Sequence, residues 1–582
     1  MKSAVFRALS LLLLVSMIFL AIGCNQSQDS SEPTDSTDPS NIVKKEYVIV
    51  TQAHDATTLR VQEISFDLRD LLSKTFQTNV SIITDAEPYA PKDNQIWIIL
   101  GETTYDLTQK AKSQCSPDSV SYVADGNSIA IYAQTHQVLN IGVDSYINDC
   151  LKDGKLMPTE DYQSATVDFS DLSRVGWKMP FPAFVGGTLD TTLYSGGYGL
   201  NRNVQNSTMQ VITETSAEEF DAYIQLLVQN GYEMEFYNQI DGNLFASCRS
   251  MLGTNAYVYY MASIQKTRVI HDVVSPSLDE FCYETETSDH TAIYHFRHNI
   301  SREDTYLIHA ADNSWIIIDG GTESELLADD MFEFMRSRSN LKDNEKLVIS
   351  AWYNTHSHRD HFAVMIPFIK YYHDKIDLQR VIANIPDLKV VGNTNDTDYM
   401  RCLAEIERFF PDVSWLKVHP GMKIQLADIT FEVLYSADSK YEDWTKSTTD
   451  PDAGWSNFNF SSTVSKITVG GFTFLSAGDN FALPQFLSPY YTVDTLVCDV
   501  VKMAHHGINT PPNSFYTELY KTGKVQYWSC PTLGTSDGSK YDVADWIGDR
   551  LVKGDSSYAT KYYLGGDGLV HVEKILIRDN SQ

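Results

Sequence analysis

Three histidines and an aspartate fall within six residues, His356-Ser-His358-Arg-Asp360-His361, close behind the apolar run Lys346-Leu-Val-Ile-Ser-Ala-Trp352. That run reads as a buried strand, so the polar cluster sits at a strand's end, where loops present side chains. At spacing two, His356 and His358 point the same way in extended or turning backbone, and Asp360 and His361 can turn towards a neighbouring site. Imidazole and carboxylate donors at this density suit a divalent cation such as Zn²⁺. With 15 histidines in 582 residues, a surface loop with chance histidines is a poor account of the pattern. The run Tyr306-Leu-Ile-His309, the run Trp315-Ile-Ile-Ile-Asp319, a helix near Glu325 to Arg336 and the strand before the cluster alternate as in an α/β domain.

Further motifs recur after the cluster. Asp319-Gly320-Gly321 ends an early strand, and Phe472-Thr-Phe-Leu-Ser-Ala-Gly478-Asp479 is a strand running into Gly-Asp. Val500-Val-Lys502-Met-Ala-His505-His506-Gly507 ends in His-His-Gly, and Asn459-Phe-Ser-Ser462 precedes the Gly-Asp strand. Together with the HxHxDH cluster, these resemble the metallo-β-lactamase superfamily. The His-His-Gly and Asn459 elements are most similar to its ComEC-like branch, and to phosphorylcholine esterases. The resemblance implies an αββα sandwich over residues 278–582. It also implies two divalent metal ions, Zn²⁺ or alternatively Mn²⁺, with His356 and His358 on the first, Asp360, His361 and His506 on the second, and Asp479 bridging. A water shared by two metals about 3.5–4 Å apart would become a hydroxide nucleophile. Asp360 and His505 are the candidate catalytic residues. His505 either acts as a proton donor or supports the site from behind, Lys502 is structural, and Asp319 orients a ligand histidine. No histidine stands between His419 and His505. Many superfamily members have one there, so the first metal is short of a ligand, and a true β-lactamase is disfavoured.

The N-terminus reads as an export signal. Lys2 and Arg7 precede an apolar run from Ala8 to Ile22, which ends Leu20-Ala21-Ile22-Gly23-Cys24. Small residues before a cysteine resemble a bacterial lipoprotein signal over residues 1–24, implying a lipid on Cys24 and an extracytoplasmic, membrane-anchored protein. Residues 25–45 are rich in Ser, Thr, Asp and Pro and read as a flexible tether. The other seven cysteines are scattered without a CxxC pair, which argues against a disulfide framework.

Two small α/β or α+β domains are expected before the catalytic one. The first, residues 46–170, combines a strand at Tyr47–Thr51, a helix from Ala56 to Thr75, further strands and a closing helix from Gln137 to Leu151. The second, residues 175–276, has a capping box at Ser216-Ala-Glu-Glu219, an amphipathic helix, and a hairpin turn at Asp241-Gly242. Its tyrosine-rich run Ala256 to Met261 reads as sheet core, and Tyr194-Ser-Gly-Gly-Tyr198 as a loop. His295, His298 and His309 read as surface or satisfied polar residues.

The 45 basic and 76 acidic side chains leave a net charge of −31, which argues against stable nucleic-acid binding. A small anionic group in a metal-lined pocket remains compatible with it. The expected function is a surface-anchored di-metal hydrolase acting on a phosphodiester. The alternatives are hydrolysis of an ester, lactone or amide, and a surface glycan- or partner-binding protein carrying an incidental hydrolase domain. Every candidate ligand lies after Leu278, so a fragment from there would be expected to carry the site by itself.

Overall fold

The strand ahead of the histidine cluster, Leu347–Asn354, is mostly apolar because both of its faces are covered. Leu347, Ile349 and Trp352 pack into one core, Ala351 and Tyr353 into another. The change of parity sits at a bulge, where Trp315 pairs with Ile349 but the next residue, Ile316, pairs with Ala351. An extra residue in one strand re-aims everything after it, here the approach to His356.

This computed structural model describes residues 45–53, 58–151, 156, 162–196, 207–273, 275–297, 304–386, 396–442, 458–507, 513–531 and 547–577. The export signal, Cys24, the tether up to residue 44 and His298 lie outside them. No helix among the described residues is long and apolar enough to cross a membrane.

From residue 282 on, two sheets stack face to face. One is nine-stranded; its main path runs 414–417, 380–383, 347–354, 315–319, 305–309, 292–296, 558–564, 570–576. The other is eight-stranded and runs 282–284, 423–427, 429–435, 464–469, 472–476, 500–502, 527–530, 551–553. Helices Glu325–Arg338, Met365–Tyr372 and Asp396–Phe409 pack on the outer face of the first. Helix Asn513–Lys521 covers the second, with Tyr516 edge-on to Trp528 at 5.5 Å. Ser529, one residue on, points inward to Tyr306, as strand alternation requires. The layers are therefore helix, sheet, sheet, helix.

Before this sandwich come two more sheets. The first is six-stranded and mixed, with helices Thr58–Phe76 and His136–Cys150 on one face and Asp106–Gln114 on the other. The second is six-stranded and antiparallel, with helix Ala217–Gln229 on one face. Ser216 and Glu219 form the reciprocal cap that starts this helix. Asp241 (φ 50°) and Gly242 (φ 81°) make the left-handed hairpin turn. Of the segment expected as a loop, Tyr194 to Gly196 instead closes an edge strand, Thr188–Gly196, paired with Ser207–Thr213, so pairing to the sheet overrides the poor strand propensity of glycine; Gly197 and Tyr198 lie outside the described residues.

The other face of this antiparallel sheet is not solvent-facing. Met209, Val211, Phe245, Tyr257, Tyr259 and Ile270 belong to the same continuous core as the two-sheet sandwich. Contact is close enough that a Cβ on Gly421 would lie 2.0 Å from the Phe245 ring. Polar ties reinforce it. Arg268 and Lys266 both pair with Glu442, and Asn243 donates to the Tyr490 carbonyl at 2.8 Å.

The deepest tie is His419. Its Nε2 lies 2.7 Å from Asp272 of the antiparallel module, and its Nδ1 bonds Asp438 of the sandwich. Lys417, the Tyr257 ring (4.5 Å from the imidazole) and Tyr441 complete its surroundings. Burial opposes its charging, but Asp272 and Asp438 outweigh burial and raise it to about 9. In the unfolded chain a histidine titrates near 6.5. The charged link is thus fully stabilising below about pH 6.5 and is lost as pH rises through about 9, a contribution of about 3 kcal/mol. His419→Gln is expected to lower the urea midpoint at pH 7, with the deficit shrinking towards pH 10. A deficit that stays constant over that range would show that the link does not depend on the imidazolium.

Candidate metal centre

The candidate ligands follow strands of both sheets, on one edge of the sandwich. Leu347–Asn354 leads into His356, Phe472–Ser476 into Asp479, and Val500–Lys502 into His506. The turns there are specialised. Gly478 (φ 50°) is closely boxed, since a Cβ would lie 2.7 Å from Ser462 Cβ and 2.9 Å from Thr355 Oγ1. Only glycine fits ahead of Asp479. His505 (φ 52°) and His506 (φ 56°) are both left-handed, as is Asp319 (φ 58°). Each costs about 1–3 kcal/mol, a strain that clusters at functional sites.

Asp479 Oδ2 is the focus. It lies 3.0 Å from His361 Nε2, 3.2 Å from His506 Nε2 and 3.9 Å from His356 Nε2. Asp360 Oδ2 lies 3.3 Å from His506 Nε2. Two groups of donor atoms, each within 4.8 Å of one another, share Asp479: His356, His358 and Asp479, and Asp304, His361, Asp479 and His506. The six expected metal ligands therefore come together, with Asp360 against His506 but outside both groups, and His505 also outside both.

Asp319 sets ring orientation on both sides. Its Oδ2 accepts from His361 Nδ1 at 2.8 Å, which turns His361 Nε2 towards Asp479. Thr355 donates through its backbone N–H and its hydroxyl to the same carboxylate, and its Oγ1 accepts from His356 Nδ1 at 3.1 Å. His356 Nε2 is left with a lone pair, fully buried and without a hydrogen-bond partner. An orphaned imidazole nitrogen beside a carboxylate suits a cation: the residues present fit a divalent metal.

Charge in the cluster follows the same geometry. Burial pushes Asp479 up, but His361 and His506 hold it well below the usual carboxylate range. Burial likewise opposes charge on His506, yet Asp479 and Asp360 raise it to about 9. Asp360 is held at about 2, because His506 and His361 overcome its desolvation. His356 is driven well below its ordinary value by burial, then by His361 and His358.

One residue here escaped the sequence reading. Asp304, fully buried, pairs with the Lys502 ammonium, which also donates to the Gly478 carbonyl and so pins the Gly-Asp turn. An acid just before an apolar strand carries no local signal of this. His295 is a correction. Expected as surface or satisfied, it is 1% exposed, stacked on Tyr306 at 4.8 Å, and neither ring nitrogen has a partner. Burial pushes it down to about 4, so it stays neutral on the inner face of its strand. His309 is satisfied, by Asn313 at 2.9 Å. No disulfide joins the seven cysteines among the described residues.

No family model matches the chain, and no curated protein matches it. Among solved structures, it is similar to unliganded yeast PDE1, at 10% identity and a TM-score of 0.28, over 45% of this chain and 97% of that one. It is also similar to CmlA, a diiron β-hydroxylase from Streptomyces venezuelae, at 12% identity and a TM-score of 0.23, over 58% and 70% of the two chains. A flavo di-iron protein from Thermotoga maritima follows at 11% identity and a TM-score of 0.18, over 58% and 57%. At such TM-scores these likenesses carry no weight, and the reading of the site rests on its own geometry.

Proposed function

We propose that this protein is a metal-dependent hydrolase of the metallo-β-lactamase type that cleaves a phosphodiester. The observation that carries the reading is the convergence of His356, His358, His361 and His506 on Asp479 at a single sandwich edge. Two divalent cations held there would supply Lewis acidity and an activated water. The chain's own residues do the rest. Asp319 fixes two imidazoles, and Lys502 with Asp304 fixes the turn that carries Asp479.

His505 is suited to hydrogen-bonding a substrate oxygen. Its Nε2 accepts from the Asn459 amide at 3.3 Å, so the ring proton sits on Nδ1, which is buried without a partner. Burial pushes its pKa down, with Asp479 partly offsetting. That leaves a neutral imidazole whose Nδ1–H can donate a hydrogen bond to a phosphoryl or leaving oxygen. We also propose export and lipid anchoring through Cys24, on the strength of the N-terminal pattern. Cys24→Ser should move the protein from the membrane fraction to the medium, and unchanged partitioning would remove this claim.

The deciding experiment is turnover of bis(p-nitrophenyl) phosphate, p-nitrophenyl phosphate and a simple lactone, before and after chelation and after return of Zn²⁺ or Mn²⁺. Metal-dependent cleavage of the diester is expected. Lactone turnover without diester cleavage would replace the proposed substrate class, and no turnover of any kind would favour a binding role.

A further inference from the structure

We propose that the first N-terminal module binds a neutral oligosaccharide, in the cleft between Tyr89 and the helix Asp106–Gln114. The inference stands apart from the metal centre and from whatever substrate the sandwich takes.

The two faces of this module's mixed sheet are unequally covered. One carries the 19-residue helix Thr58–Phe76 and the 15-residue helix His136–Cys150, the other only the nine-residue helix Asp106–Gln114. Beside that short helix a cleft of about 730 Å³ remains, within the roughly 300–1,000 Å³ typical of small-ligand sites. Tyr89, Tyr105, Asp106, Lys110 and Asp125 are among the residues that line it.

The walls of the cleft are fixed in advance. Tyr89 is 42% exposed, yet its ring is held edge-on to Trp97 at 5.5 Å and tilted against Tyr105 at 5.4 Å. The Tyr105 hydroxyl donates to the Glu87 carbonyl at 2.7 Å, which ties the loop carrying Tyr89 to the start of the short helix. Asp85 accepts from the backbone N–H groups of Ala53 and Thr104, both at 2.8 Å, and anchors the near end of the same loop. A surface ordered before its ligand arrives loses less entropy on binding. Within the cleft, the side chains of Asp106, Lys110 and Asp125 have no hydrogen-bond or ion-pair partner among the described residues.

This combination selects a ligand class. An exposed but immobilised phenol ring offers a flat apolar face to the C–H face of a sugar ring. The two carboxylates accept from sugar hydroxyls, and the ammonium donates to one. Carboxylates outnumber the ammonium, and the whole chain carries a net charge of −31, so an anionic ligand is disfavoured. A peptide strand has nothing to pair with: the sheet's edges are Val80–Thr84 and Ser164–Asp168, and neither lines the cleft.

The test is calorimetric titration of the full chain with cellohexaose, maltohexaose, xylohexaose and chitohexaose, and with hexagalacturonate as the anionic counterpart. At least one neutral hexasaccharide is expected to bind one to one, and hexagalacturonate on the order of 10-fold more weakly or not at all. Tyr89→Ala should weaken the neutral ligand on the order of 10-fold, whereas Tyr89→Phe, which keeps the ring, should retain it. Lys110→Ala and Asp125→Ala, at exposed positions, should each weaken it too, and they keep the test decisive if Tyr89→Ala does not fold. Circular dichroism melting confirms that each variant is folded. No binding of any neutral hexasaccharide, or tighter binding of hexagalacturonate, would overturn the inference. Wild-type affinity in all three alanine variants would overturn it as well, by placing the ligand elsewhere.

Discussion

Replacing Asp479 by Asn is expected to remove both metal equivalents and to lower phosphodiester turnover on the order of 10³-fold or more. The carboxylate belongs to both donor groups, so neither position keeps its full charge or its shared oxygen without it. Electrostatic stabilisation by bound metal is worth several kcal/mol, and each 1.36 kcal/mol is about a factor of ten in rate. The fold should survive. Without the anion, His361 and His506, whose Nε2 atoms stand 3.3 Å apart, can no longer both hold protons, and they can share one or go neutral. Elemental analysis and kcat are read together. A variant that keeps one tight equivalent would show that Asp479 belongs to one position rather than to both.

A chain begun at Leu278 is expected to be insoluble or to unfold, although it contains every candidate ligand. The antiparallel sheet ahead of it contributes Met209, Val211, Phe245, Tyr257, Tyr259 and Ile270 to the sandwich's own core. Each large apolar side chain is worth about 1.5–3 kcal/mol when fully buried. Uncovering several of them, along with their partners, consumes a stability that for a whole domain is typically only about 5–15 kcal/mol. The cut also strips Asp272 from His419, and Arg268 and Lys266 from Glu442, leaving buried groups unpaired. Expression of residues 278–582 beside residues 175–582, scored by solubility, far-UV circular dichroism and zinc content, checks this. A soluble, two-metal 278–582 fragment would show that the shared core is dispensable.

The sequence by itself determined what is local. His356 to His361 follows a strand because the preceding residues are apolar enough for burial on both faces, and ligand spacing is legible where donors are neighbours in the chain. The capping box at Ser216, the Asp241-Gly242 turn and the helix Glu325–Arg338 are legible for the same reason: caps, left-handed turns and apolar periodicity act over a few residues. Asp479 and His506 could be placed only by resemblance, because nothing local says that they converge with His361.

The tertiary structure decided the rest. Asp304 joins the centre only because strands 305–309 and 315–319 pair so that Thr305 lies opposite Asp319. His295 is buried because the opposite sheet covers its strand's inner face, which a single-chain pattern of polar and apolar residues does not reveal. The antiparallel module reads in sequence as self-contained, since its alternation gives each strand two faces but cannot say what covers the second one. Here the C-terminal sandwich covers it, and the ion links at His419 and Glu442 join residues more than a hundred positions apart. Contacts at such separation depend on which surfaces meet after the elements form, and no short-range pattern in the chain encodes that.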